Sequence, residues 1–185
     1  MHHASHTVGM RKLHTCHADS GFSLAELLVV VSIAALLLVG SVPSLGKWQA
    51  SKRAHATLVA IADDIAHARR RAHHSPAPVV VCPSSDGARC DQTLDYSDGW
   101  LVFHNTNEDR PAIRDPDEPI LLRGVPESGV QLIANRRRFE LTAHPRRSTN
   151  GTITACDRAA RVPAKRLVVS YSGRARFATS DRSQC

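Results

Sequence analysis

The sequence predicts an α+β protein: one long N-terminal helix followed by a small antiparallel β domain. Three observations lead there. Phe22 to Val39 is an apolar run of 18 residues. From Leu45 to about His74 apolar residues recur at helical spacing. After Pro76 and Pro78 the pattern changes to short β-type runs separated by Gly, Pro, Asn and Asp.

At 1.5 Å per residue the apolar run reaches about 27 Å, close to the roughly 30 Å hydrocarbon core of a bilayer, and it is expected to span one. Its only polar side chains are Ser23, Glu26 and Ser32, and no Lys or Arg lies within it. A charge at the bilayer centre costs about 2.5–3.5 kcal/mol, less near an interface, so Glu26 needs a cationic partner from a chain terminus or another subunit. Residues 1–21 carry Arg11, Lys12 and five histidines. They are similar to a signal peptide, but no Ala-x-Ala site follows the apolar part. Cleavage after Gly21 would instead free the Phe22 amine, whose charge suits Glu26 of a neighbouring subunit.

In the second half of the helix, Leu45, Trp48, Ala54, Leu58, Ile61, Ile65, Ala68 and Ala72 are expected on the buried face. Lys52, Arg53, Asp63, Asp64, Arg69, Arg70 and Arg71 are expected in solvent, with the basic last turn suiting the helix dipole. Pro76 and Pro78 forbid continuation. Strands are expected at Val79–Cys82, Trp100–His104, Ile120–Arg123, Val130–Ile133, Arg138–Thr142, Thr152–Ala155, Arg166–Tyr171 and Arg174–Ala178. Asn105–Pro119, rich in Pro and charge, is expected to be an exposed loop. The roughly 110 residues after the helix suffice for one modest core.

The stretch "GFSLAELLVVVSIAALLLVGSVPSL" resembles the N-terminus of type IV pilins and pseudopilins. The resemblance implies that a prepilin peptidase cuts after Gly21 and methylates the Phe22 amine, that Glu26 takes part in assembly, and that Pro43 kinks the helix. It divides the chain into a leader (1–21), a transmembrane and pilus-core helix (22–44), a helix extension (45–75) and an exported β-rich domain (76–185). It also implies a single-pass inner-membrane protein with its domain in the periplasm, later part of a surface pilus, with other pilins and the peptidase as partners. Met10 offers an alternative start with a shorter, more typical leader.

Loss of the leader removes Cys16 and leaves Cys82, Cys90, Cys156 and Cys185, an even number in an exported domain. Four cysteines allow three pairings. Cys82–Cys90, closing "CPSSDGARC", and Cys156–Cys185, pinning the C-terminus, are the expected ones. A zinc site is disfavoured, because the spacing is not Cys-x-x-Cys and no paired His stands nearby.

"VVVCPSSDGARC", "YSDGWLVFHN", "EPILLRG" and "VVSYSGRAR" resemble the FimT/GspH group of minor pilins. That resemblance implies a long helix against two small β-sheets and no enzymatic activity. GspH-type members serve type II secretion, whereas FimT-type members belong to type IV pili and in some bacteria bind DNA during natural transformation. The DNA-binding feature carried over is Gly-Arg-x-Arg, here Gly173, Arg174, Ala175 and Arg176.

Charge agrees with the DNA-binding branch. Cys82 to Glu127 holds ten acidic and four basic residues, whereas Arg136 to Cys185 holds twelve basic and three acidic. Such asymmetry favours a polyanion, either nucleic acid or anionic lipid headgroups. Arg136, Arg137, Arg138, Arg146 and Arg147 could add phosphate contacts, and they read equally well as solvated loops. In an extended segment Arg174 and Arg176 would share one face about 6.5–7 Å apart, near the spacing of successive phosphates. Tyr171 and Phe177 could stack on bases but are expected in the core or sheet. No catalytic constellation, metal-ligand spacing or cofactor motif stands out: "DYSDG" and "NTNEDR" do not match a calcium loop, and "PSSDG" lacks the strand and helix of a nucleophile elbow. Two readings remain: a DNA-binding pilus subunit, or a purely structural minor pilin or secretion pseudopilin.

Overall fold

The computed structural model describes residues 22–179, leaving aside the side chains of 38–43 and 179. The chain falls into two compact units, residues 1–41 and 42–185.

In the first unit, helix α1 (Leu24–His73) begins behind Ser23, whose Oγ accepts the Glu26 backbone N–H at 3.2 Å. A serine that accepts from the third helical N–H satisfies one of the helix's free donors. The spacing Ser-x-x-Glu is that of a capping box and also sets a carboxylate at the positive end of the helix dipole. This local role for Glu26 was readable from the sequence beside its expected role in assembly. Phe22, Leu24, Leu27, Leu28, Ile33, Leu36 and Leu37 are all exposed. Among the described residues no helix is long and apolar enough to cross a membrane. The expected span, Phe22 to Val39, is described with its side chains only as far as Leu37. The cleavage site at Gly21 and the side chain of Pro43 lie outside the described residues.

In the second unit α1 buries Ala50, Ala54, Thr57, Leu58, Ile61, Ala62, Ile65, Ala68 and Ala72, a stripe at three- and four-residue intervals. Its alanines let the helix lie close against the strands. Leu45 and Trp48, expected on this face, are exposed instead. Asp64 and Arg69, expected in solvent, are drawn inward. Asp64 accepts the Trp100 indole N–H at 2.7 Å, and burial raises its carboxyl above the ordinary range.

The eight strands are β1 (Val79–Pro83), β2 (Trp100–His104), β3 (Ile120–Gly124), β4 (Val130–Ala134), β5 (Phe139–Leu141), β6 (Gly151–Asp157), β7 (Lys165–Val169) and β8 (Ala175–Thr179). They form two antiparallel sheets, ordered β3-β2-β1-β5 and β4-β6-β7-β8. The main core joins α1 to the inner faces of both, through residues such as Val81, Trp100 and Val102 on one sheet and Leu132, Ile153 and Leu167 on the other. Val80, Cys82, Leu101 and Phe103 form a second cluster with Ala112 on the outer face of the first sheet. Strand β1 is therefore buried on both faces, which explains why it reads "VVVC" rather than as an alternation.

Most of the segment Asn105–Pro119 is exposed, as expected, but Ala112 packs into that second cluster, and Asn105 and Glu118 are buried as well. Glu118 holds it by accepting backbone N–H groups of Thr106 at 2.6 Å and Asp115 at 3.1 Å. Cys82 and Cys90 are joined, with Cα atoms 5.6 Å apart. Cys156 is also disulfide-bonded, and Cys185, its expected partner, lies outside the described residues.

Candidate nucleic-acid interface

Strands β7 and β8 form a hairpin whose tip is Ser170 to Arg174. The Ser170 carbonyl accepts the Gly173 N–H at 2.8 Å, and the Arg174 carbonyl accepts the Ser170 N–H at 3.0 Å. Gly173 has φ +74°, the left-handed residue that a turn of this length needs on its closing side. A second constraint acts on it: a Cβ at Gly173 would stand 2.9–3.2 Å from the Arg69 side-chain stem. Gly173 is buried, while Arg174 and Arg176 on either side of Ala175 are exposed.

This differs from the sequence expectation in one respect. Arg174 closes the turn rather than opening the strand, and only Arg176 lies in the ladder, opposite Val168.

Arg69 is the residue that sequence reasoning missed. Its stem lies under Gly173 and its Nη1 donates to the Thr142 carbonyl at the end of β5. One side chain of α1 thus ties the tip of the β7–β8 hairpin to the segment that leads into Pro145–Arg147. That segment is a short 3₁₀ turn, fastened by Thr142 N–H to Ser148 Oγ at 3.0 Å and by Thr142 Oγ1 to the His144 carbonyl at 2.8 Å. Arg146 and Arg147 point into solvent beside an open cavity of about 560 Å³ that they line with His144 and Pro145. The only sequence signal for Arg69 was a glycine in a basic turn, which requires close approach of something without naming it.

The run Arg136–Arg138 divides. Arg138 is half-buried and engaged, donating to the Ala112 carbonyl and, at 2.9 Å, to Gln92 Oε1. Arg136 donates through Nε to the Asn150 carbonyl at 3.1 Å and remains exposed, as does Arg137. The Tyr96 hydroxyl fixes this loop by donating to the carbonyls of Arg136 and Arg137, at 3.3 and 3.1 Å. No hydrogen bond among the described residues joins this loop to the hairpin tip.

Two salt bridges occur among the described residues, Asp86–Arg89 and Asp157–Arg161. Arg161 holds the Asp157 carboxyl down at about 2, chiefly by its side-chain hydrogen bonds. Arg174, Arg176, Arg146 and Arg147 enter neither pair. Tyr171 and Phe177, expected in core or sheet, are about half exposed at 54% and 52%. Among the described residues no group of three or more His, Cys, Asp or Glu could hold a metal ion.

The profile of the Type II transport protein GspH family matches residues 59–173, well over half of the chain. The chain belongs to this family. The prokaryotic N-terminal methylation motif matches residues 16–42, across the expected leader and the start of α1. Together these make the protein a minor pilin or pseudopilin of the type IV pilus or type II secretion kind, membrane-anchored, processed by a prepilin peptidase and assembled with other pilins. Pilins and pseudopilins of this family are structural subunits rather than enzymes. Among solved structures, the type IV minor pilin FimU of Pseudomonas aeruginosa (strain PAO1) is similar in two crystal forms. They are 13% identical with TM-scores of 0.47 and 0.48, covering 67% and 72% of this chain and 91% and 92% of theirs. The minor pseudopilin EpsH of the Vibrio cholerae Type 2 Secretion System is 11% identical at a TM-score of 0.48, covering 69% of this chain and 97% of its own. No curated protein sequence matches the chain.

Proposed function

We propose that this GspH-family subunit belongs to a type IV pilus and binds DNA with little sequence preference during natural transformation, through Gly173, Arg174 and Arg176. The observation that supports this best is the state of the arginines. Arg174 and Arg176 are exposed and outside any described salt bridge, and Arg69 ties their turn to the segment bearing Arg146 and Arg147. Guanidinium groups left in this state suit phosphate oxygens, and contacts to phosphate carry no base information.

With two to four phosphate contacts per subunit, log K against log salt should fall with a slope of about −2 to −4. Changing Arg174 and Arg176 together to Gln in the full chain should reduce that slope by about 2 and weaken binding equally for unrelated duplexes. The control is Arg70 and Arg71 to Gln, which makes the same charge change on the last turn of α1. Equal small losses in both variants would favour a second reading, a purely structural pseudopilin of type II secretion, which the description of the matched family supports.

Assembly is proposed to depend on Glu26 neutralising the Phe22 amine of an adjacent subunit. Glu26→Ala should still be inserted and cleaved after Gly21 but should enter fibres poorly. Normal incorporation would sink the pairing.

A further inference from the structure

A second surface lies where α1 passes the edge strand β8. Trp48, Lys52 and His55 stand four and three residues apart on one exposed side of α1. Lys52 Nζ lies 5.6 Å from the Trp48 ring centre, and His55 meets the half-exposed Phe177 ring at 5.3 Å between centroids, tilted by 59°. Between His55 and Phe177 opens a cavity of about 290 Å³, lined also by Lys165 and Arg166.

Neither α1 nor the β7–β8 hairpin contributes an acid to this face among the described residues. Helix α1 carries none between Glu26 and Asp63, and the chain carries none from Arg158 to Ser180. Burial, with Lys52 nearby, depresses the Lys165 pKa, as expected where cations crowd together.

We propose that this groove binds single-stranded DNA, with unpaired bases stacked on Trp48, His55 and Phe177 and phosphates taken by Lys52 and Lys165. Rings interleaved with cations are what a single strand needs, because every base has an apolar π face and every linkage a charge. A duplex hides those faces in its own stack. This inference rests on the DNA reading above and adds a subsite that distinguishes single strands from duplex.

The test uses the full chain in detergent, a dye-labelled oligothymidylate of about ten nucleotides, a duplex of equal length and inorganic polyphosphate as competitor. Phe177→Leu should weaken oligothymidylate binding about fivefold or more, while duplex binding and polyphosphate competition stay unchanged. Phe177→Tyr should retain binding, and Lys165→Gln should weaken all three ligands. The subsite is overturned if the Leu variant binds oligothymidylate as wild type does, if Leu and Tyr lose equally, or if the Leu variant changes self-association instead. The hairpin reading fails separately: it falls if wild type binds no duplex, even where oligothymidylate binding depends on Phe177.

Discussion

From Cys82 to Glu127 the chain is acidic and from Arg136 to Cys185 it is basic, and the two segments use their charges in opposite ways. In the acidic segment the carboxylates close turns on the backbone. Asp86 accepts the N–H groups of Ala88 and Arg89, both at 2.8 Å; Asp91 accepts that of Ser85 at 2.7 Å; Asp95 accepts that of Ser97 at 2.8 Å; and Glu118 accepts two. The N–H groups of Arg89 and Ala88 hold the Asp86 carboxyl well below its usual range. In the basic segment Arg137, Arg146, Arg147, Arg174 and Arg176 stand in solvent. The reason is chemical. A carboxylate accepts, and every turn has spare backbone N–H groups to offer it, whereas a guanidinium only donates and must find a free carbonyl or an anion. Negative charge here is therefore largely structural, and positive charge is largely available for a partner.

The sharpest way to break that contrast is Glu118→Ala. Removing a buried acceptor of two backbone N–H groups should cost about 3 kcal/mol in a denaturant titration. A loss below about 1 kcal/mol would make the acidic segment as superficial as the basic one.

Next in size is Gly173→Ala, the point where the basic tip touches the core. A side chain at φ +74° on top of the Arg69 stem should cost about 1–2 kcal/mol, and DNA binding should fall with it because the tip must move. Unchanged stability together with unchanged binding would remove Arg69 from the account.

A smaller effect belongs to Asp64, the acid that serves the core rather than a turn. Its folded pKa is raised, so the folded state holds its proton more firmly than the unfolded chain. The stability this contributes is complete below the ordinary carboxylate value, about 4, and is lost as pH rises through the raised value. Asp64→Asn should keep an acceptor for the Trp100 N–H and flatten that slope. At pH 7 it should add less than about 1 kcal/mol, given its partial exposure. Thermal melts across the pH range check the sign: a wild type that gains stability over this window would contradict it.

The smallest expected change is Arg146 and Arg147 to Gln, within about 0.5 kcal/mol of wild type in stability. The same variant should bind duplex DNA more weakly with a shallower salt slope, which separates available charge from structural charge in one molecule.

The elements themselves were legible in the sequence. All eight strands fall within two residues of where alternation and turn residues put them, and the 3.6-residue stripe of α1 was visible from Ala54 to Ala72. Local pattern suffices for this because a strand or helix face must match its own period wherever the core lies. The Gly-Arg-x-Arg tip was equally legible, since turn chemistry is local. What only the tertiary structure decided is where each surface meets another. Asp64 and Arg69 read as solvated helix positions until Trp100 of β2 and Gly173 of the β7–β8 hairpin tip, each more than thirty residues away, pack against them. Phe177 read as a core or sheet residue, and it lies in β8, but that this is an edge strand half open beside His55 was decided by the fold. Asn105–Pro119 read as an exposed loop and mostly is one, but Ala112 joins the cluster on the outer face of the first sheet. A single residue carries its own propensity, but its burial depends on a partner brought by a different part of the chain, and that pairing is settled only when the whole core packs.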